Sequence, residues 1–421
     1  MSSYKRALLS AYDDVWLLDG VRTPFIEYNT FLGFVSPTDL GIKAAREVFR
    51  RSGVPSADVE NVVAGSVCQA SFDAYVLPRH IALYSGVPIE VPAHLVQRVC
   101  GTGIEAILQA ADSIKLAKAN LALVVGAESM SRNPIAAYTH RGGFPMGQVE
   151  FKDFLWEALL DPSCNLTMGG TAEKLAQQYR ITREDVDQFA AESFARAIAA
   201  QQRCFLRGEI APVVSEVFEL QGYQPRGIRL PRGIDKLTGK LTEDTHIRPS
   251  PVEVLARLKP AFGGVQTGGN SSGIVDGAAA ALVASGNYIK KQNKQPLARV
   301  VAGAVVAVPP EIMGISPVPA IRSVLEHVGL TLEQIDRVEI NEAFGAQVLA
   351  CQRELGLDRA KLNVNGGAIA IGHPLAATGI RLAVTVARAL KQSGTRYGVA
   401  SACIGGGQGI ALLVENVSPA N

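Results

Sequence analysis

The chain has 421 residues, of which 48% are hydrophobic, and carries a formal net charge of +2. Its apolar runs end within about ten residues, far short of the roughly 20 that a membrane-spanning helix needs, and the low charge comes with no basic stripe suited to nucleic acid. Its six cysteines include no Cys-x-x-Cys pair, which argues against a disulfide framework or a zinc site. We therefore expect a soluble, cytoplasmic protein of about two to three domains with no metal.

Two parts of the chain repeat the same order of predicted elements: helix, loop, strand, loop, helix and strand. The segment 102–104, Thr-Gly-Ile, returns as 378–380. The stretches 53–62 and 329–338 also match at this offset, and both follow an amphipathic helical pattern. The alternation predicts an α/β layered fold in which the helix that begins at Cys100 packs against a sheet.

An insertion lengthens the first copy. Gly273 and Gly277 match Gly405 and Gly409, but at a shorter offset, so extra residues stand at roughly 128–270. Long insertions in compact domains are usually functional, and we expect this one to form a lid over the core. The predicted organisation is residues 1–127 plus 271–290 as the N-terminal core half, 128–270 as the inserted domain and 291–421 as the C-terminal core half.

Within the insertion, the pattern predicts a pair of helices and a loop. The helices are expected over 170–179 and 182–203, and Thr182 with Asp185 is suited to cap the start of the second. The stretch 221–240, rich in glycine, proline and arginine, is predicted to be loop.

Cys100 stands where the second copy of its helix has Ala376. A thiol at the first turn of a helix faces unpaired N–H groups and the positive end of the helix dipole, which favour thiolate over thiol. Gly101 and Gly103 allow close approach of the chain and of a substrate. From this pattern alone, a nucleophile and a packing residue are equally supported. The cysteines outside the motifs are expected to be buried or inert thiols, namely Cys68, Cys164, Cys204 and Cys351.

His373 is the candidate base for such a nucleophile, because the unperturbed pKa of histidine is close to neutrality. It lies in a glycine-rich loop just before the second copy of the Cys100 helix. If the two helices are neighbours about a pseudo-twofold axis, His373 approaches Cys100; the alternative is a histidine that satisfies loop backbone. The remaining histidines lack such a setting and are expected to be ordinary surface or core residues: His80, His94, His140, His246 and His327.

Two strand ends of the second copy carry polar groups. Cys403 ends an apolar strand and opens into the glycine-rich loop 404–409, where Gly405 and its neighbours offer bare N–H groups for an oxyanion hole. Such a loop is equally suited to a phosphate or to a simple turn. Asn341 ends a second strand; it is placed to hold a water or to donate to an oxyanion, and the alternative is an Asx turn.

Four motifs resemble the thiolases, the acyl-CoA acetyltransferases. They are Cys100-Gly-Thr-Gly, Asn341-Glu-Ala-Phe, Gly372-His-Pro and Cys403-Ile-Gly-Gly-Gly, in the order and roughly at the spacing of that family, and the resemblance covers nearly the whole chain. It implies a duplicated αβαβα core of two similar halves with an inserted loop domain. It further implies a homodimer or a homotetramer.

The resemblance implies a two-cysteine mechanism. Activated by His373, Cys100 would attack the 3-keto carbon of a 3-ketoacyl-CoA, and the bond between C2 and C3 would break. Cys403 would protonate the departing acetyl-CoA enolate and then deprotonate the CoA that takes the acyl group. The reverse is a Claisen condensation. One oxyanion hole would use His373 and a water on Asn341, and the other the N–H groups of Cys100 and Gly405.

The resemblance also implies a CoA site, with CoA as a substrate and no permanently bound cofactor. Arg248 would lie near the adenine, and the pantetheine would be met by Met168, Phe262, Gly268, Ser272, Ala343 and Phe344. A basic run could meet the CoA phosphates, although a solvated loop is favoured: Arg226, Arg229, Arg232, Lys236 and Lys240.

Substrate length is left open by the sequence. Thr167 stands where many short-chain biosynthetic members have histidine, on the loop expected to line the acyl pocket. The segments 247–250 and 270–272 resemble degradative, longer-chain members, which favours β-oxidation.

Two other functions were considered. A decarboxylating condensing enzyme of the ketoacyl synthase type shares the fold and the nucleophilic cysteine but lacks the second cysteine, so Cys403 argues against it. A non-catalytic acyl-CoA or lipid carrier on the same fold would be expected to have lost Cys100, His373 or Cys403, and all three are present.

Overall fold

The computed structural model describes residues 6–68, 70–137, 142–231 and 239–417. Within these ranges the helices are α1 (Pro37–Ser52), α2 (Leu77–Tyr84), α3 (Thr102–Lys115), α4 (Phe154–Ala158), α5 (Met168–Gln178), α6 (Arg183–Gln202), α7 (Val252–Leu255), α8 (Gly286–Lys291), α9 (Pro317–Val328), α10 (Gly345–Leu355), α11 (Ala368–Ile371) and α12 (Leu375–Ser393). The strands are β1 (Leu8–Ala11), β2 (Val15–Arg22), β3 (Ile26–Glu27), β4 (Asn61–Gly65), β5 (Ala93–Leu95), β6 (Leu121–Glu128), β7 (Ile135–Ala136), β8 (Lys152–Asp153), β9 (Leu160–Asp161), β10 (Leu166–Thr167), β11 (Val213–Val214), β12 (Glu216–Phe218), β13 (Arg226–Ile228), β14 (Lys240–Leu241), β15 (Val275–Ser285), β16 (Ala298–Ala307), β17 (Arg337–Ile340), β18 (Tyr397–Ile404) and β19 (Gln408–Glu415).

One large sheet runs through both halves of the chain, in the order β17-β18-β19-β16-β2-β15-β6-β4-β5. Strand pairing is parallel in β4–β5, β4–β6 and β17–β18 and antiparallel elsewhere along the path. The halves meet where β2 pairs with β16 in the register Leu17 opposite Ala298. Strand β1 crosses from the first half and pairs with β16 of the second.

The predicted repeat is confirmed, although one expectation about it is wrong. The stretches 53–62 and 329–338 were expected to follow a helical pattern throughout. Instead Gly53 and Gly329 end helices α1 and α9 with φ of 60° and 71°, a conformation that glycine adopts without strain. Each is followed by a 3₁₀ turn and then by strand β4 or β17. The apolar residues of this region therefore face the core from the end of a helix and the start of a strand.

Helices α3 and α12 form the central layer between the two halves of the sheet. They cross at Gly103 and Gly379, where a Cβ on either glycine would overlap the backbone of the other helix. Helix α12 contacts β6 and β15 of the first half and β17 and β18 of the second. Helix α1 covers β15 and β6 from outside, and α9 covers β16 and β19. The layers are thus αβαβα, and the predicted closeness of the two helix heads is confirmed.

The insertion carries the predicted helix pair, α5 and α6. The side chain of Thr182 accepts from the backbone of Asp185, whose carboxylate accepts from the backbone of Thr182, so the predicted capping box is confirmed. The stretch 221–240 was predicted to be loop, but β13 pairs there with β12 as a short hairpin. Helix α6 packs against α10 and α11 of the C-terminal part, next to the loops that carry Asn341 and His373.

Three features of the described residues bear on the requirements of a disulfide, a metal site and a membrane-spanning helix. The six cysteines are free. Over the described ranges, no group of three or more His, Cys, Asp or Glu side chains is arranged to hold a metal ion. None of the helices within those ranges has the length and apolar content needed to cross a membrane.

Candidate active site

Cys100 lies in a tight turn directly before helix α3. Val99 has a φ of 42°, which is rare for a β-branched residue and marks a constrained backbone. The hydroxyl of Thr102 closes the turn by donating to the carbonyl of Val99 at 2.7 Å. Gly101 packs closely here, since a Cβ at this position would come within 2.5 Å of the side chain of Ile404. The motif around Cys100 therefore builds the turn that presents its thiol at the helix head.

Burial dominates the electrostatics of Cys100. It raises the pKa of the thiol to about 11, against the lowering effect of the N–H groups of Gly405 and of Cys100 itself. The buried carboxylate of Glu128 raises this pKa further. The N–H groups thus act in the predicted direction, but desolvation outweighs them, so the helix head does not give a thiolate in the resting protein. Cys100 rests as a thiol and needs a base.

His373, between α11 and α12, is buried in a state suited to that role. Its Nε2 lies 3.2 Å from Asn341 Nδ2, an N–H donor, and its Nδ1 lies 2.6 Å from Thr378 Oγ1. Thr378 in turn donates to the carbonyl of Pro374. We assign the tautomer with hydrogen on Nδ1, which leaves Nε2 as the acceptor. Burial, followed by the charge of Arg381, lowers the pKa of His373 to about 3, so the ring is neutral.

Asn341 follows strand β17, and its side-chain amide has one end bonded to His373 and the other end without a partner among the described residues. Its Nδ2 meets His373, so the Asx-turn alternative is not what the amide does. Its Oδ1 is buried and has no hydrogen-bond partner among the described residues, which leaves one acceptor for a water or a ligand. The next residue, Glu342, accepts from Ser193 at 2.6 Å and from Asn363 at 2.9 Å, and so ties helix α6 to this strand end.

Cys403 reaches the same region from strand β18. It is fully buried and packs with Met168 and Phe344. Burial, followed by the charge of Cys100, raises the pKa of its thiol, so the two cysteines lie within electrostatic range of each other. The loop that follows bends through Gly406 and Gly407, whose φ values are 84° and 78°. This bend aims the N–H of Gly405 at the sulfur of Cys100.

A cavity of about 550 Å³ opens beside these groups. His373 lines it, and Cys100 packs against Leu155 and Leu375 of its wall. Most of the predicted pantetheine contacts also line the cavity: Met168, Phe262, Gly268, Ser272 and Phe344. Ala343 does not line the cavity but packs with Met168 and Phe344, which do. The structure thus places His373 and most of the predicted pantetheine residues in the wall of one cavity, with Cys100 packed against that wall.

Arg248 lies outside the lining of this cavity. Its guanidinium is 3.2 Å from Glu27 and lies over the ring of Phe194 at 5.8 Å. Half of its side chain remains exposed, at 49%. It is therefore placed at the surface near the cavity, with charge available to a ligand that extends outward.

The basic run is less suited to phosphate. Arg226 is ion-paired with Asp39 at 2.8 Å and with Asp73 at 2.7 Å, so its charge is already satisfied within the protein. Arg229 follows the same hairpin, and Lys240 starts β14. Arg232 and Lys236 fall outside the described residues. Nothing in this hairpin favours a phosphate site over the solvated loop preferred from the sequence.

Comparison with known proteins decides the family. Residues 15–287 match the thiolase N-terminal domain, and residues 294–416 match the thiolase C-terminal domain. The chain belongs to the thiolase family. It is 41% identical to the mitochondrial 3-ketoacyl-CoA thiolase of Bos taurus, over 96% of this chain and 98% of that one.

The chain is also similar to a bacterial thiolase and to a solved thiolase structure. The thiolase is 42% identical to a beta-ketoadipyl-CoA thiolase of Acinetobacter baylyi, over 96% of this chain and 99% of that one. The crystal structure of human mitochondrial 3-ketoacyl-CoA thiolase in complex with CoA matches it with a TM-score of 0.88 at 39% identity, covering 96% of this chain and 98% of that chain. The predicted acyltransferase family and duplicated fold are confirmed, and neither the ketoacyl synthase nor the carrier alternative gains support.

Two buried residues that shape the site of this thiolase were not singled out from the sequence. Thr378 accepts from Nδ1 of His373 and thereby selects its tautomer. The sequence clue to Thr378 was its position five residues after His373, within the repeated segment. Glu128 ends strand β6 and accepts from the backbone N–H groups of Cys68 and Ala376, so it joins the two halves beside Cys100. A charged residue at the end of an otherwise apolar strand was the available signal.

His246 was expected to be an ordinary histidine, and the structure places it in the lining of the cavity. The other described histidines of that group lie elsewhere. His94 contacts Gln109 at 3.0 Å, and His80 lies 3.5 Å from Asp73. His140 is outside the described residues. No glycine-rich motif marks His246, so pattern alone could not separate it from the others.

Proposed function

We propose that this thiolase cleaves 3-ketoacyl-CoA with free CoA, giving acetyl-CoA and a shortened acyl-CoA, through an acyl group carried on Cys100. The observation that carries the proposal is the meeting of Cys100, His373, Asn341 and Cys403, drawn from both halves of the repeat, beside a mainly apolar cavity. Each of these groups matches a separate step of the chemistry.

The first step adds Cys100 to the substrate and forms the tetrahedral adduct that precedes the acyl-enzyme. With pKa values of about 11 for Cys100 and about 3 for His373, a resting thiolate–imidazolium pair is strongly disfavoured. The proton therefore moves from Cys100 to Nε2 of His373 as the sulfur attacks the 3-keto carbon. Negative charge then develops on the carbonyl oxygen, and the N–H formed at Nε2, together with a water on Asn341, would stabilise it.

The second step breaks the bond between C2 and C3. The electron pair passes to the acetyl-CoA enolate, and Cys403 gives its proton to C2. Because burial raises the pKa of Cys403, this residue starts as a thiol and has the proton to give. The thiolate left behind then takes the proton of an incoming CoA, whose sulfur attacks the acyl carbon on Cys100. The bond between that carbon and the sulfur of Cys100 breaks, and the sulfur takes back the proton held on Nε2 of His373, which restores both cysteines. The N–H groups of Cys100 and Gly405 serve the enolate or thioester oxygen.

The inserted residues 128–270 are proposed as the lid that binds CoA between the core halves at 1–127 with 271–290 and at 291–421. Several predicted pantetheine contacts belong to this insertion, including Met168 and Phe262 at the cavity wall. Helix α6 anchors the lid on the second half through the bond from Ser193 to Glu342. The half-exposed side chain of Arg248, beside His246 of the cavity lining, supports its assignment to the adenine.

Assembly is proposed as a homodimer or a homotetramer. Strand β5 is an edge of the sheet, and the side chains of Phe72 and Tyr75 are 100% and 79% exposed on the segment between β4 and β5. Exposed aromatic side chains beside an open edge favour burial against a second copy.

Location and pathway remain predictions. We proposed a cytoplasmic protein, whereas several relatives are named as mitochondrial enzymes. A degradative role in β-oxidation is the favoured direction. It is supported by the mainly apolar cavity, which suits an aliphatic acyl chain.

The test is a product analysis of the purified protein with CoA and 3-ketoacyl-CoA of increasing length. We expect acetyl-CoA and the acyl-CoA shortened by two carbons, and we expect Cys100→Ser to lose at least about 1,000-fold in kcat, as expected for a weakened nucleophile. Loss of 3-ketoacyl-CoA without any need for free CoA would contradict the proposal.

A further inference from the structure

His246 is a buried histidine that the proposed mechanism does not use. Its side chain is 10% exposed, and it lines the cavity together with Phe262 and Ser272. The ring lies against the backbone of Gly273, where an added Cβ would come within 2.9 Å of Nε2. The carbonyl of Gly273 also accepts from the N–H of His373 at 3.0 Å. Nε2 of His246 therefore stands at the wall of the cavity, beside Ser272 and one residue away from the catalytic loop.

One ring nitrogen of His246 is already bonded within the protein. Nδ1 lies 2.9 Å from Glu27 Oε1 and 3.2 Å from Nη1 of Arg248. We assign the hydrogen to Nδ1, as a donor to the carboxylate, because Glu27 is the nearer partner and the guanidinium of Arg248 has its own acceptors in Glu27 and in the carbonyl of His246. Burial is the largest influence on the pKa of His246 and lowers it, against the raising effect of Glu27. The ring is thus neutral, and Nε2 is an acceptor.

The other ring nitrogen has nothing to accept from. Nε2 is buried and has no hydrogen-bond partner among the described residues. A buried acceptor without a donor carries the full cost of its desolvation. In a cavity wall, that arrangement is typical of a group whose partner is a ligand.

We propose that Nε2 of His246 accepts a hydrogen bond from an amide N–H of the pantetheine arm of CoA, an inference that rests on the proposed function. The pantetheine arm is mostly apolar but carries two amide N–H groups, which fits a mainly apolar cavity with one isolated acceptor. The phosphate groups of CoA only accept at neutral pH and cannot pair with an unprotonated nitrogen. The adenine is assigned to Arg248, whose side chain lies outside the cavity lining.

Glu27 acts as a positioning residue in this arrangement. Its carboxylate holds the hydrogen on Nδ1, and the same oxygen lies 3.2 Å from Nη1 of Arg248. One carboxylate thus orients two CoA contacts, one for the pantetheine and one for the adenine. Removal of Glu27 frees the ring to place its hydrogen on Nε2, which would then oppose the N–H of the ligand.

The first test compares His246→Phe with the unchanged protein in the thiolytic assay. Phenylalanine keeps the packing on Gly273 and removes the acceptor, so we expect KM for CoA to rise about tenfold, as expected when a buried N–H loses its partner, with kcat within about twofold. His246→Gln restores an acceptor oxygen and is expected to recover most of the affinity. His94→Phe is the matched control, since His94 is exposed and contacts Gln109.

A second measurement locates the contact on CoA. Adenosine 3′,5′-bisphosphate, which lacks the pantetheine arm, is expected to inhibit His246→Phe and the unchanged protein equally. An equal KM for CoA in both proteins would overturn the inference, as would a loss confined to kcat or a matching loss of affinity for the bisphosphate.

Variants of Glu27 test the same idea if His246→Phe does not fold. Glu27→Leu is expected to raise KM for CoA, and its effect in combination with His246→Gln is expected to be less than the sum of the two. Strict additivity would overturn the positioning role. Failure of the proposed function is recognised separately, since the unchanged protein would then form no acetyl-CoA.

Discussion

The heads of helices α3 and α12 occupy equivalent places in the two halves but serve different groups. At the head of α3, the N–H groups of Cys100 and Gly405 point at the sulfur of Cys100. At the head of α12, the N–H of Ala376 donates to the buried carboxylate of Glu128 at 3.1 Å. Helix N-termini favour anions. The duplication therefore supplies two sites for negative charge, of which one is filled by a fixed carboxylate and the other is left to the reacting thiol.

The strand ends show the opposite asymmetry. In the second half, Asn341 follows β17 and Cys403 lies one residue before the end of β18, whereas the residues at the equivalent places of the first half, Gly65 and Ala127, have no polar side chain. In the proposed mechanism, the nucleophile thus comes from one half, and the groups that move protons come from the other. They meet because Gly103 and Gly379 let the two central helices touch. This division of labour can be broken at the cysteine, at the helix contact and at the electrostatics of the thiol.

The largest expected effect is that of Cys403→Ala. Without the thiol, the site loses the group proposed to protonate the enolate and to deprotonate CoA, so we expect kcat for thiolysis to fall by about 10² to 10⁴, the usual worth of a general acid and base. Cys100 remains in place, and mass spectrometry of the intact variant is expected to show its alkylation by iodoacetamide as in the unchanged protein.

The matched control for that variant is Cys351→Ala. Cys351 is also fully buried, and its sulfur contacts the carbonyl of Gly314 rather than the site. Its loss is expected to change stability more than kcat. Retention of more than about a tenth of the activity by Cys403→Ala would show that the second half does not supply the proton through this thiol.

The next effect concerns the helix contact that brings the halves together. A Cβ on Gly379 would overlap the backbone N of Ile104, which cannot move aside as a flexible side chain can. We expect Gly379→Ala to lower the free energy of unfolding by about 3 kcal/mol or more, measured by urea denaturation. Gly170→Ala is the control, because its Cβ would find ordinary contacts near 3.4 Å in the first turn of α5. Equal stability of the two variants would mean that the helices separate without loss.

Much of this arrangement could be predicted from the sequence because the repeat constrains it. The repeat matched Gly103 with Gly379 and predicted His373 near Cys100, and the polar ends of two apolar strands pointed to Asn341 and Cys403. Contacts made across long sequence separations by single polar residues carry no periodic signal. The bond from Glu128 to Ala376 and the place of His246 in the cavity wall are of this kind.

The protonation state of Cys100 could not be predicted from the motif either. A helix head favours thiolate, but the competing desolvation depends on side chains such as Leu155 and Leu375, which pack around the sulfur from distant parts of the chain. The sequence indicates the N–H groups at the helix head but not the side chains that bury the sulfur. The direction of the pKa shift of Cys100 depends on the balance between the N–H groups and this burial.

The pH dependence of alkylation at Cys100 measures whether burial or the helix head dominates the pKa of its thiol. If burial raises the pKa of Cys100 to about 11, the thiolate is a minor species below that pH, and the rate of alkylation by iodoacetamide rises about tenfold for each pH unit from 7 to 10. Peptide mapping separates Cys100 from the exposed Cys204, whose labelling in the same digest reports on the reagent. A rate that levels off between pH 7 and 9 would mean that the helix head outweighs burial. In that case, both equivalent helix heads would hold an anion in the resting protein: the thiolate of Cys100 at α3 and the carboxylate of Glu128 at α12.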